Sequence, residues 1–159
     1  LRKVEKNFLC YFIGGPSGKS GNEYLKELKQ TVVDLNLESH IEFLDNLPQT
    51  EIRDLLNKSK LLIHTSKFET FGLVAAEANA MGVPVLTTNS GSLSEIVENN
   101  KNGYYSESLI DGNVNIFVQE LLNNNEKFDE IMLNCLEKSK AYSWANTAIE
   151  IENLYKDFA

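Results

Sequence analysis

Two apolar runs, Leu61-Leu62-Ile63 and Val83 to Leu86, bracket a segment of helix formers from Phe71 to Met81. Thr70 is placed to cap that helix and Gly82 to stop it. Strand, helix and strand in that order make one parallel crossover unit. A chain built around such a unit folds as a parallel sheet with helices on its faces.

The helix is apolar or small nearly all round, the pattern of a helix packed on several sides. Yet Glu77 stands in its middle. An unpaired polar group in that setting costs roughly 2–7 kcal/mol, and a charge costs more. Helical geometry puts Glu77 two turns below Thr70 on the same face, about 10 Å along the axis. It then looks along a groove towards Glu69 and the free amides of Phe71, Gly72 and Leu73. Those amides and the helix dipole favour an anion such as a phosphate. Gly72, without a side chain, lets a ligand approach the backbone.

The stretch Ser66-Lys67-Phe68-Glu69-Thr70-Phe71-Gly72-Leu73, continued by Glu77-Ala78-Asn79-Ala80-Met81-Gly82-Val83-Pro84-Val85, resembles the signature of the family 4 retaining glycosyltransferases of the GT-B fold. Two glutamates at this spacing are a weak signal alone; the pattern around them is specific. The resemblance implies that Glu69 contacts sugar hydroxyls and that Glu77 holds the nucleotide ribose. It places Thr70, Phe71, Gly72 and Leu73 against the sugar and phosphate. The plain alternative is a core helix with one stray acid.

Phe8 to Ile13 is a continuous apolar run, as in a strand buried on both faces of a parallel sheet. It leads into Gly14-Gly15-Pro16-Ser17-Gly18-Lys19-Ser20. A phosphate-binding loop of the nucleoside triphosphatases needs a glycine at position 13, which is Ile13, so that reading fails. The loop is similar to one in the C-terminal domain of the same glycosyltransferases, which implies room for donor phosphates at Gly14 and Gly15; a plain turn is the alternative. Lys19 either adds a cation or is solvated. Positions 21–36 have helical spacing, with Tyr24, Leu25, Leu28, Val32 and Leu35 on one face. His40 to Leu44 alternates as a short strand. There the resemblance implies a nucleobase pocket formed through backbone groups, with Phe43 and Leu44 at its wall. The family pattern has glycine where this chain has Asp45.

Pro48 and Thr50 open a helix with Ile52, Leu55 and Leu56 inward. Leu61 to Thr65 is the next strand, and His64 near its end reads as a packed, hydrogen-bonded side chain. After Val85-Leu86-Thr87, the turn at Gly91 opens a short helix at the carboxyl end of a strand, the edge where open parallel sheets bind ligands. Ser90 stands where the family has a first glycine. Glu95 either contacts ligand or caps the helix. Tyr104 and Tyr105 form a last strand. From Asp111 the period is helical, with stripes at Val114, Phe117, Val118, Leu121 and Leu122, at Phe128, Ile131, Met132 and Cys135, and at Trp144, Ile149, Ile151, Leu154 and Tyr155.

The 159 residues suffice for one domain with its own core. A formal charge of −8 argues against a partner that needs a basic face, a nucleic-acid duplex or a membrane surface. No run of 18 apolar residues and no leader pattern occurs. Cys10 and Cys135 read as free buried thiols of a reducing cytoplasm, and His40 and His64 have no zinc spacing. No Asp-x-Asp pair is present, so no metal and no cofactor are expected beyond a nucleoside diphosphate sugar as donor substrate.

The expected fold class is thus α/β, a Rossmann-like open parallel sheet with helices on both faces, one half of a GT-B fold. It comprises a single nucleotide-sugar-binding domain over 1–159. Its terminal helix, 143–159, is expected to pack towards an absent N-terminal domain that holds a glycan, lipid or small-molecule acceptor. The resemblance also implies a central first strand, with its cations, that has no counterpart before Phe8. A break between the first and third strands is therefore expected, filled by another copy or segment or left with altered packing. The expected activity is hexose transfer by a cytoplasmic parent, peripheral to the inner membrane at most, with the isolated chain inactive. The rivals are a non-catalytic nucleotide-sugar-binding module and a nucleotide-sugar epimerase of the same architecture.

Overall fold

The computed structural model describes residues 7–158. Strands and helices alternate through most of them: β1 (Cys10–Ile13), α1 (Gly18–Asp34), β2 (Ile41–Leu44), α2 (Gln49–Leu56), β3 (Leu62–His64), α3 (Leu73–Ala80), β4 (Val85–Thr88), α4 (Leu93–Ile96), β5 (Gly103–Ser106), α5 (Gly112–Asn123), α6 (Asn125–Ser139) and α7 (Trp144–Asp157). A 3-10 turn, Lys140–Tyr142, joins α6 to α7. All strand pairs are parallel, in two sheets, β1-β2 and β3-β4-β5. Two compact units result, one ending at Ile52 and the other starting at Arg53, within α2.

The second unit holds the core. In its sheet β4 is the middle strand, with Val85 opposite both Leu62 and Gly103. A neighbour on each edge and helices over the faces bury Val85, Leu86 and Thr87. Gly103 is required there, because a Cβ would lie 2.1 Å from the Val85 carbonyl oxygen. The helix stripe Val114, Phe117, Val118 and Leu121 is buried, with Phe117 against the Tyr104 ring at 5.4 Å. α5 packs on β5 and α6, and α6 packs on α3. Asp111 and Asn124 cap α5 and α6 by accepting the Asn113 and Lys127 amide protons.

In the first unit no described residue is buried. The expectation that β1 is buried on both faces is overturned: Leu9 is 54% exposed and Ile13 43%. Its apolar run has the composition of a central strand, but among the described residues β1 pairs only with β2. On α1, Leu25, Leu28 and Val32 are half-buried, whereas Tyr24 and Leu35 are exposed. The terminal stripe departs likewise. α7 has helical amphipathy and a Ser143 cap that accepts from the Asn146 amide, yet it buries no residue.

Both cysteines are free; Cys135 is buried and Cys10 only half-buried. Burial raises the Cys10 thiol and pushes Cys135 up to about 12, so Cys135 is inert as a nucleophile. No helix among the described residues is long and apolar enough to cross a membrane.

Glu98 ties the turn before β5 to α6 through Lys101 at 2.7 Å and Lys138 at 2.9 Å. These hydrogen bonds, Lys101 first, lower its carboxyl from 4.5 to about 2. A depressed folded-state pKa contributes stability that is complete above the unfolded value and lost as pH falls through the folded one. The melting temperature of Glu98→Gln should therefore lie below that of the native chain at pH 6, with the gap narrowing from pH 4.5 downward and closing near pH 2; a gap independent of pH would contradict this.

Asn79 is fully buried in α3, and neither atom of its amide has a partner. Burying such a group without hydrogen bonds costs about 1–3 kcal/mol. Asn79→Leu, which keeps the branch at Cγ, should raise the denaturant midpoint with an unchanged slope.

Candidate functional site

Parallel strands deliver their following loops to one edge, and here that edge is polar. β3 ends in His64-Thr65-Ser66, and β4 runs into Thr88-Asn89-Ser90. The hydroxyls stitch the two exits together. Thr87 Oγ1 donates to the His64 carbonyl at 2.9 Å, Thr88 Oγ1 to the Ser66 carbonyl at 2.5 Å, and Ser90 Oγ to that same carbonyl at 2.9 Å. Ser90, which departs from the family pattern, is thus used as a donor.

Beyond this stitching, two glycines confine Glu69. Gly91 has φ +56, and a Cβ there would sit 1.8 Å from the Glu69 carbonyl oxygen. Gly72 has φ +89, and its Cβ would meet Leu93 Cδ2 at 2.7 Å and Glu69 Cγ at 3.6 Å. The carboxylate is held as well: Oε1 accepts the Thr70 amide proton at 3.0 Å, and Oε2 lies 3.6 Å from His64 Nε2.

The helix that follows starts later than expected. α3 begins at Leu73, with left-handed Gly72 as its cap and no capping bond from a side chain, so Thr70 does not cap it. A left-handed residue interrupts helical geometry, which is why Phe71 and Gly72 lie outside. The Ala75 and Ala76 amides both donate to the Gly72 carbonyl. That leaves Leu73 and Val74 as the first-turn amides without a partner among the described residues, and Phe71 and Gly72 precede the helix. Glu77, half-buried, is then the fifth helical residue, about 6 Å along the axis from Leu73. α3 is packed on several sides, by α4, α6, β3 and β4, but its first turn and the residues before it are open. Ala75, Ala78 and Asn79 are buried, while Leu73 is 66% exposed and Phe71 and Val74 are also open. The Phe71 ring meets Tyr142 edge-on at 6.2 Å, and Tyr142 donates a long 3.5 Å bond to the Glu95 carbonyl.

The first unit has a site of its own. Gly14, at φ +120, donates its amide proton to the Leu44 carbonyl at 3.2 Å, and Gly15 donates to Asn46 Oδ1 at 3.0 Å. The two glycines help to line a pocket of about 260 Å³, with Phe12, Tyr24, Leu25, Leu28 and Phe43 among its other walls. Phe12 and Phe43 stack at 5.1 Å across the strand pair, and Lys29 lies over the Phe43 ring. Among the described residues no cation is part of the pocket lining.

The family model of the glycosyl transferases group 1 matches residues 1–134. The chain belongs to this family. It is 33% identical over 134 residues to an uncharacterised glycosyltransferase of Methanocaldococcus jannaschii, covering 84% of this chain and 38% of that protein. The Anabaena protein HepE in complex with UDP-glucose superimposes with a TM-score of 0.82 at 25% identity, over 97% of this chain and 42% of that one. The C-terminal domain of a group 1 glycosyltransferase from Francisella tularensis has the same fold, at TM-score 0.76 and 23% identity, covering 89% of this chain and 72% of that one. The chain spans about two fifths of the length of the first two relatives.

Within this group 1 glycosyltransferase domain, the second unit brings Glu69, Thr70, Gly72 and Gly91 together at one sheet edge, with Leu73 opening α3. Gly14, Gly15, Phe43 and Leu44 gather in the first. Sequence reasoning missed the hydroxyl stitching by Thr87, Thr88 and Ser90, and it gave His64 no part beside Glu69. The available signal was a run of polar residues at the carboxyl ends of two apolar strands. Among the described residues no cluster of His, Cys, Asp or Glu could hold a metal ion.

Gly91→Ala tests the confinement of Glu69. A left-handed alanine costs about 1–2 kcal/mol before any clash. The substitution should lower stability by more than that and speed hydrogen exchange at the Thr70 amide. An unchanged Thr70 amide would show that Gly91 does not fix the loop.

Proposed function

We propose that this chain is the donor-binding domain of a retaining glycosyltransferase that moves a hexose from a nucleoside diphosphate sugar to an acceptor held by another domain. The observation that carries this is the meeting of Glu69 with the opening of α3 at the carboxyl edge of β3 and β4. Amide protons of Leu73 and Val74, with the dipole of α3, suit a phosphate. Glu69, tethered at the mouth, suits sugar hydroxyls, and Glu77 suits the vicinal hydroxyls of a ribose. HepE, of the same fold, is seen with UDP-glucose. In transfer the domain's share is electrostatic: fixed amides stabilise charge that builds on the departing diphosphate, with no reorganisation needed.

For the first unit, the family reading gives Gly14 and Gly15 a phosphate and Phe43 and Leu44 a nucleobase. The aromatic lining by Phe12, Tyr24 and Phe43 beside the glycines suits a flat ring. Trp144 at 88% exposure and Tyr155 at 72% leave α7 with an uncovered apolar face, and we assign its 143–159 segment to packing against a further domain of the parent. The parent is placed in the cytoplasm.

Calorimetry with UDP, GDP and ADP on the native chain and on Glu77→Ala tests the reading. One diphosphate should bind, and the substitution should weaken it by about tenfold or more, the worth of hydrogen bonds to a charged group. Undiminished binding would remove the ribose role, and no binding by the native chain would remove the donor role. A nucleotide-sugar bound without any transfer once the whole parent is assayed would favour a non-catalytic module.

A further inference from the structure

His64 closes β3 with its side chain only 18% exposed, and Nε2 stands 3.6 Å from Glu69 Oε2. The other ring nitrogen, Nδ1, is buried and has no partner among the described residues. The chemistry of imidazole decides what that means. A buried N–H without an acceptor is rarer and costlier than a buried lone pair without a donor. The proton of the neutral ring therefore belongs on Nε2, where a carboxylate faces it, and Nδ1 keeps the lone pair. His40 provides the opposite case in the same chain: its Nδ1 lies 3.0 Å from the Phe8 carbonyl oxygen, which can only accept, so His40 carries its proton on Nδ1.

An ionised carboxylate has about four acceptor directions. At Glu69 one is taken by the Thr70 amide and one faces His64. The remaining two have no partner among the described residues. The backbone beneath cannot yield, since Gly91 packs against the Glu69 carbonyl and the Ser66 carbonyl is held by Thr88 and Ser90. The gap to His64 exceeds direct hydrogen-bond range by about 0.4 Å, and such bonds are often long in unliganded sites and tighten with ligand.

We propose that His64 is a positioning residue: it donates its Nε2 proton to Glu69 and so orients the two free acceptor directions of that carboxylate towards adjacent hydroxyls of the donor sugar. The sugar role rests on the donor-binding reading above; the pairing of the two side chains does not.

Two measurements on the whole chain test it. Long-range nitrogen–proton NMR at pH 8 reads the tautomers of the two histidines, with His40→Gln for assignment. His64 should show the proton on Nε2 and His40 on Nδ1, and Glu69→Gln should disturb the His64 signals while leaving His40 unmoved. Calorimetry then compares UDP, GDP and ADP with UDP-glucose, GDP-glucose and ADP-glucose. His64→Phe should leave the affinity for the preferred free diphosphate within twofold, which also shows that the variant folds. The extra affinity contributed by the glucose should fall about tenfold. His64→Gln, which can present a donor nitrogen in place of Nε2, should recover most of it. An Nδ1 proton on His64, or a sugar increment that survives His64→Phe, would overturn the proposal. A native chain that binds none of the six ligands would refute the donor reading and with it the sugar role, while the tautomer would still decide whether His64 holds Glu69.

Discussion

Everything at the carboxyl edge of the second sheet depends on one backbone contact, the carbonyl of Glu69 against the α-carbon of Gly91. Two loops leaving adjacent parallel strands can approach that closely only where one lacks a Cβ, and the position is left-handed besides. With the contact made, the Glu69 chain cannot retreat, and its side chain is committed to the mouth of the edge. Left-handed Gly72, packed close to the Glu69 side chain, then opens α3 at Leu73. Hydroxyls from β4 seal the joint from below. The result is an acid whose place is set by main chain rather than by a flexible side-chain network.

How much of this could be read beforehand varied with where the packing partners lie. The β4, β5, α5 and α6 region was legible because its partners follow within the same stretch. Val114, Phe117, Val118 and Leu121 find their cover in β5 and α6, so periodicity and burial agree. β1 was misread because an apolar run reports what a strand is suited to, not what covers it. Leu9, Tyr11, Phe12 and Ile13 are suited to a central strand and stand at least a third exposed. The same reason separates α7 from its sequence pattern. The helix start failed for a local reason. Thr70 is a good cap by composition, but Gly72 takes the left-handed conformation that ends any continuous helix, and glycine in a sequence does not announce which conformation it adopts.

The site was legible in its residues and not in its geometry. Glu69, Gly72 and Gly91 were picked from pattern, and they do meet. The reason they meet, a missing Cβ facing a carbonyl, is invisible in one dimension. His64 was set aside as a packed histidine because a lone histidine near a strand end usually is one. Only the unpartnered Nδ1 on one side of the ring and the carboxylate on the other give it a direction.

The charge of the chain sharpens what such an edge can recognise. At −8 the protein offers no field to draw in a diphosphate, and the lysines nearest to a fixed role, Lys101 and Lys138, are paired with Glu98. On the donor-binding proposal, the second unit offers neutral amide donors for an anion and carboxylate acceptors for hydroxyls. Amide protons discriminate by direction, since each serves one oxygen at one angle, whereas an ammonium attracts any anion in reach. Carboxylates held on fixed backbone likewise count hydroxyl groups and their spacing. An edge built this way gives up strength of attraction at long range and gains selectivity at contact, which is what the proposed sugar-nucleotide donor would require.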